Sequence, residues 1–455
     1  MSDMHLTSQL EDGLNEIPLL DIHTHLDATH LAARGLYDIL LYHMLISDLV
    51  SAGCPSRERL PESPSQEEAN ARVEEAIPYL PYIQNTSSFW GVRLILRDLY
   101  GWSEPITASN WRTLDQRIRE RSSDQNWPRQ IFKRAGIRRA GTELWRRHDG
   151  EYDDLLQYAL EWAFFTRTQW SAPDVNTDGS MQENDISLYE LERAWNQSEP
   201  GAPLPVTMGG VRPPLPRTIQ TIDDVKAAIA HYVSCIPYGR ILSTAQHLST
   251  DIHFHAVSDE EMAEALIRRA EATLDERDVY ASYILEAFLT ELEKHANEIV
   301  YQFSFGAEPL PFETAAKLRQ DTLFEVAAII ARHPRLRFQV FLSSQHANQT
   351  LCTLARELPN LSLAGYWWHN FFPTIIRKVM SERLDTVATN KQVGFFSDAY
   401  CADWTYAKSV IVRKQLAEVL AQKVRQGQYT TDQALSIARQ ILFNSPQTLL
   451  GMQPR

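Results

Sequence analysis

Leu19–His43 reads LLDIHTHLDATHLAARGLYDILLYH, four histidines in 25 residues, the first two separated by a single threonine. The stretch opens on a short apolar run around Asp21 that suits a buried strand. Residues i and i+2 of a strand point to the same side. His23 and His25 can therefore aim both imidazoles at one point just beyond the strand's C-terminal edge. A divalent metal accepts two such nitrogens at about 2.0–2.1 Å. An isolated His-x-His at a strand end is also compatible with two hydrogen-bonded structural histidines.

Working outward, short apolar runs alternate with longer helical patterns, the rhythm of βα units and a parallel sheet. The candidate strands are Ile17–His23, Ile137–Gly141, Leu204–Met208, Arg240–Ser243, Ile299–Ser304, Arg337–Leu342, Leu361–Gly365 and Val393–Ser397. Eight strands predict an α/β fold of the (β/α)8 barrel type, a TIM-type barrel, with its site at the C-terminal strand ends. The first two candidates stand more than 100 residues apart, and the sequence between them is mostly helical in pattern. The expectation is one barrel domain over residues 1–455 with a helical insertion after strand 1, at about 32–133. Two amphipathic helices, from Lys408 and from Thr431, are expected to close its outside, with Gly427 and Thr430–Thr431 as stop and start signals. Pro55–Glu68, Asp174–Asp185 and Ser198–Pro205 read as loops.

Composition narrows the classes of function. The apolar share is 44%, enough for a large packed core, and the formal charge of −14 argues against a nucleic-acid binder. A small anionic ligand stays compatible, because a few arginines in one pocket override the global field at short range. No apolar run is long enough for a membrane span and the N-terminus lacks a signal-peptide pattern, so no membrane partner is expected. The four cysteines are far apart, which fits a reducing cytoplasm. No G-x-G-x-x-G follows a strand and no G-x-x-x-x-G-K-[ST] occurs, which sets aside nucleotide-binding folds.

The second piece of chemistry is QVGFFSDAYCADW, in which Asp398 falls at the end of the last candidate strand. Alone, such an aspartate is as readily a helix N-cap. In a closed barrel, strand 8 neighbours strand 1, and Asp398 then joins His23 and His25 as a ligand or serves as a base.

These motifs resemble the amidohydrolase superfamily and, within it, a divergent uronate isomerase (glucuronate isomerase). GLYDILLYH (Gly35–His43) is similar to that family's Leu-Tyr-Asp-Ile segment, which is followed shortly by a histidine. LILRDLYG (Leu94–Gly101), RPP (Arg212–Pro214), FGA (Phe305–Ala307), GYWWHN (Gly365–Asn370) and ILFNSP (Ile441–Pro446) resemble further family segments in the same order. The resemblance implies His23, His25 and Asp398 as ligands of one divalent ion, zinc or alternatively manganese. It implies His43 as the histidine working beside the metal, Asp398 and His43 as the catalytic pair, Arg212 as a substrate grip and Trp367 as a pocket wall. His247 falls where the family carries a histidine after strand 4, which makes it a candidate substrate contact. The implied substrate is a hexuronate (D-glucuronate or D-galacturonate) or related sugar acid, converted from aldose to ketose through a cis-enediol, in a homo-oligomeric cytoplasmic enzyme of glucuronate catabolism.

The chain also departs from the family pattern. Met44, Ser47 and Val50 follow His43 where the family has an aromatic and two arginines, and Ala399-Tyr400 replaces Ser-Arg after the strand-8 aspartate. Ser304 stands in place of a histidine, and Glu308–Pro311 in place of a further arginine. A uronate carboxylate wants guanidinium partners, for which Arg34, Arg93 and Arg97 are candidates. His346, after strand 6, is a second candidate pocket histidine, whereas His30 is expected in solvent. The alternatives are a metal-dependent hydrolase or decarboxylase on the same scaffold, acting on a small carboxylated substrate, and a non-catalytic sugar-acid sensor.

Overall fold

The computed structural model describes residues 3–452 except 62, 149, 161–173, 176–180, 183–185, 197–214, 249–251, 269–273, 310–313, 317, 320 and 367–370. Seven parallel strands form one sheet: β1 (Leu19–Asp21), β2 (Ile137–Glu143), β3 (Leu156–Leu160), β4 (Ile241–His247), β5 (Val300–Phe305), β6 (Arg337–Leu342) and β7 (Leu361–Leu363). Each strand pairs with the next in chain order. Two short antiparallel hairpins lie outside this sheet.

Two of the eight expected strands differ. The third place belongs to Leu156–Leu160, whose Tyr158 pairs with Ile241, while the predicted Leu204–Met208 lies outside the described residues. The run LLQYAL is too short for its periodicity to separate strand from helix. The predicted eighth strand, Val393–Ser397, forms no ladder. Gln392 bridges Leu363 in parallel and Val393 N–H donates to Leu363 O, but Gly394 N–H turns away to Ile441 O. Its far end bonds to the chain after β1 instead: Asp398 N–H donates to His23 O and His25 N–H to Ala399 O. The segment thus touches both edge strands at its ends while its middle bonds elsewhere.

The sheet curls around a small apolar cluster that draws Leu20, Leu242, Val300 and Phe341 from separate strands together with Ile22, Ala364 and Phe396 from the chain beside them. Gly141 of β2 lets the chain leaving β1 lie close, since a Cβ there would stand 2.6 Å from Ile22 O. Thr24 N–H and its hydroxyl both donate to that glycine's carbonyl, at 2.7 and 2.8 Å.

Between β1 and β2 the chain builds helices Leu36–Leu40, His43–Ser51, Gln66–Ala76, Ser87–Tyr100, Trp111–Ser122 and Trp127–Ala135. Thr86 caps the start of Ser87–Tyr100 and Gly101, left-handed at φ 63°, ends it. This helix crosses the long helix Ala402–Arg425 at Gly91, where a Cβ would meet Trp404 at 2.5 Å. Thr430 opens Thr431–Arg439 as the expected N-cap, and Gln433 completes a capping box with it. Arg413, buried, ties Ala402–Arg425 to the strand starts by donating to the carbonyls of Leu14, Ile17 and Ala135.

Candidate metal centre and its cavity

His23 and His25 follow the last residue of β1, and their rings meet edge to face with centroids 5.1 Å apart. Both point Nε2 at one carboxylate oxygen: Asp398 Oδ1 lies 3.2 Å from His23 and 3.3 Å from His25. Asp398 reaches this position from a left-handed backbone, φ 54°, and is the one non-glycine residue with positive φ among those described. Two imidazoles and a carboxylate are a fitting donor set for a divalent ion, and one ligand atom from each lies within 4.8 Å of the others. Among the described residues no other such group of three occurs.

The orientation of His25 comes from behind. Its Nδ1 lies 3.0 Å from Glu143 Oε1, the carboxylate that ends β2. A metal-ligating histidine ordinarily has its other nitrogen held in this way. Burial alone would raise the Glu143 pKa, but His25 and the contacting Arg146 hold it well below the usual carboxylate range.

Beside the three residues opens a cavity of about 330 Å³, lined by His25, His30, His43, Tyr42, Tyr400, Arg34, Arg59, Arg146, Asp27 and Asp38, among others. That size is at the lower end for small-molecule sites, about 300–1,000 Å³. Nearly all of the wall other than His25, Arg146 and the Tyr400–Cys401 pair comes from residues 27–61, between β1 and the helix Gln66–Ala76. His43 begins its helix, buried, and Tyr42 packs against it with ring centroids 4.2 Å apart. Burial, then the nearby Arg59 guanidinium, lowers the His43 pKa well below 6.5, so the imidazole is neutral. Tyr400 stacks on His25 at 4.7 Å and meets His43 edge-on at 5.7 Å. Arg34 forms a two-pronged pair with Asp38, while Arg146 contacts Glu143 and stands 4.0 Å from Asp27.

Beneath Asp398 lies a buried polar group. Lys408 Nζ donates to Tyr42 Oη at 2.8 Å and to Ser397 O at 2.5 Å, and Tyr42 Oη donates to Asp398 O at 2.7 Å. Burial pulls the Lys408 pKa down to about 7 and pushes that of Asp21 up to about 7.

The sequence-predicted residues fare unevenly. His23, His25 and Asp398 converge, and His43 lines the adjoining cavity. Arg212 and Trp367 lie outside the described residues. His247 is the last residue of β4, in register with Ser304 of β5. His346 is exposed in the turn Gln345–Ala347. His30, expected in solvent, instead lines the cavity, because Asp27 and Thr29 fold the loop back on itself. Of the arginines considered for an anion, Arg34 is in the wall, while Arg93 and Arg97 lie exposed on Ser87–Tyr100. Sequence reasoning missed Glu143, Arg59, Arg146 and Lys408.

No family model matches this sequence, and no curated protein does. Its structure does have counterparts. Glucuronate isomerase from Caulobacter crescentus superposes with a TM-score of 0.75 at 16% identity, over 100% of this chain and 95% of that one. Uronate isomerase from Thermotoga maritima gives 0.73 at 12% identity, over 98% and 97%. Uronate isomerase from Bacillus halodurans gives 0.68 at 17% identity, over 100% and 98%. The chain has the fold of the uronate isomerases. The likeness runs over nearly the whole length of both chains in each case.

Proposed function

We propose that this protein is a metal-dependent aldose–ketose isomerase acting on a hexuronate, D-glucuronate or D-galacturonate, or on a related sugar acid. The observation that carries the reading is the convergence of His23, His25 and Asp398 beside a cavity that His43 also lines. We read the chain as a (β/α)8 barrel in which residues 392–398 fill the eighth strand position, on the strength of their bonds to Leu363 and His23.

A divalent ion held by His23, His25 and Asp398, zinc with manganese as the alternative, would supply an electrophile for the sugar's C1 and C2 oxygens. Isomerisation moves one proton from C2 to C1 through a cis-enediol, with a hydroxyl proton passing from O2 to O1. His43, uncharged and buried in the cavity wall, suits the role of taking a proton from the sugar and returning it. Asp398 is the other acceptor within reach. Arg59 suits the acid group. It stands in the cavity wall, and its charge is felt by both His43 and Tyr42. Tyr400 gives a flat aromatic wall against which a sugar ring can lie.

The test is to load the protein with zinc or manganese and incubate it in D2O with D-glucuronate and D-galacturonate, following proton NMR. Keto-acid signals, or loss of the C2 proton signal, are the expected result. With metal bound, an unchanged spectrum across a panel of sugar acids, together with turnover of esters, lactones or amides, would replace this reading with the hydrolase.

A further inference from the structure

We infer that Asp21, Tyr42 and Lys408 are positioning residues, which hold the Ser397–Asp398 peptide so that the Asp398 carboxylate faces His23 and His25. The inference rests on the proposed metal site and adds to it the means by which one ligand is aimed.

A regular strand would pass its backbone groups to two neighbours, and a residue at φ 54° cannot continue such a ladder. All four backbone groups of this dipeptide nevertheless have partners, three of them side chains. Ser397 N–H donates to Asp21 Oδ1 at 2.9 Å, and Ser397 O accepts from Lys408 at 2.5 Å. Asp398 N–H donates to His23 O at 3.0 Å, and Asp398 O accepts from Tyr42 at 2.7 Å. Buried backbone groups left unpaired are rare, so removing any of these side chains frees the peptide to turn toward an ordinary strand conformation.

Lys408 also fixes the direction of the Tyr42 hydroxyl. The phenol oxygen accepts from Lys408 Nζ, and its proton is left to point at Asp398 O. Asp21 and Lys408 are 0% exposed, so water does not compete for these bonds. Phe371, its ring centroid 4.4 Å from Lys408 Nζ, seals one side. Asp21 belongs to β1 and Tyr42 directly precedes His43. The cage therefore fixes Asp398 relative both to the histidine pair and to the proton-carrying imidazole.

The experiment is an equilibrium zinc titration of the full chain against a chelating competitor, with melting temperatures measured in excess chelator. Tyr42→Phe keeps the ring and loses one hydroxyl; its zinc Kd is expected to rise about 10- to 100-fold, the usual effect of losing a group that orients a ligand. Asp21→Ala is expected to weaken zinc about tenfold, while Asp21→Asn, whose side-chain oxygen still accepts from Ser397 N–H, recovers most of the loss. A Tyr42→Phe Kd within about twofold of the parent, whatever its melting temperature, overturns the inference and leaves the metal site standing. A parent protein that binds neither zinc nor manganese, or a His23→Ala variant that binds as tightly as the parent, overturns the site and the inference together.

Discussion

Glu143 holds His25 by the nitrogen that faces away from Asp398, at 3.0 Å. The carboxylate at the end of β2 thereby decides which imidazole nitrogen is offered to the cavity, and it does so without lining the cavity itself. Glu143→Gln keeps the side chain's size and removes its charge. Zinc binding is expected to weaken by about tenfold or more, with the protein still folded by circular dichroism. An unchanged zinc Kd would mean that the ring is held by packing against Tyr400 alone.

Arg59 is expected to act on substrate binding. A hydrogen bond to a charged group contributes about 1.5–3 kcal/mol, so Arg59→Ala should raise KM for a hexuronate about 10- to 100-fold with kcat nearly kept. Arg59→Lys should recover part of this, since lysine keeps the charge and loses the planar fork. Steady-state kinetics with a uronate and with the corresponding neutral aldose would decide the matter. A fall in kcat at constant KM would instead assign Arg59 to the chemistry around His43.

What was legible in the sequence was whatever sits in one short stretch or at a strand end. His23 and His25 need only the alternation of a strand, and Asp398 follows a compact apolar run. Glu143 is not legible because the strand expected from the sequence ends at Gly141, two residues before the observed strand does, which puts the partner of His25 outside it. Lys408 opens an amphipathic pattern that does not mark it as buried; Tyr42 and Phe371, distant in sequence, pack against its Nζ. Val393–Ser397 has strand composition yet forms no ladder, because side chains from Asp21 and Lys408 take up the Ser397 backbone groups. Arg59 lies in Pro55–Glu68, expected as a loop, whose last three residues open the helix Gln66–Ala76; only the fold brings Arg59 to the cavity that His43 lines.

Arg413 tests stability at the opposite end of the strands. Arg413→Met would remove the guanidinium donor from the carbonyls of Ile17 and Ala135, and leave Leu14 O with the Ile17 N–H. At about 1–3 kcal/mol for each buried group left unpaired, the loss is expected to reach about 2 kcal/mol or more. The melting temperature should fall by several degrees while zinc affinity holds. A variant as stable as the parent would show that water replaces the guanidinium there.

Acid should loosen the contact between helices Leu274–Leu292 and Thr322–Arg332. Burial pushes the Glu286 pKa up, but hydrogen bonds from His333 and Arg332 outweigh it and bring it from 4.5 to about 2. A depressed carboxylate stabilises the fold fully above its unfolded pKa, and loses that contribution as pH falls through its folded pKa. Glu286→Gln should thus cost stability at neutral pH, and the gap to the parent should close between pH 4.5 and about 2. Because Glu286 is 38% exposed, solvent screens the pair and the gap will be modest. Melting curves of both proteins across that range check it; a gap independent of pH would assign the effect to packing.

The cavity wall is supplied mostly by residues 27–61, whereas the three converging donors stand at strand ends. In the proposed reading, holding an ion and choosing what lies against it fall largely to separate stretches of backbone, joined where Tyr42 reaches under Asp398 and where Tyr400 packs between His25 and His43. Re-engineering residues 55–61 should thus redirect the choice of sugar while the ion's seat stays as it is. Alterations nearer Tyr42 would disturb both at once. That single hydroxyl marks how far the pocket's selectivity can be redrawn independently of its chemistry.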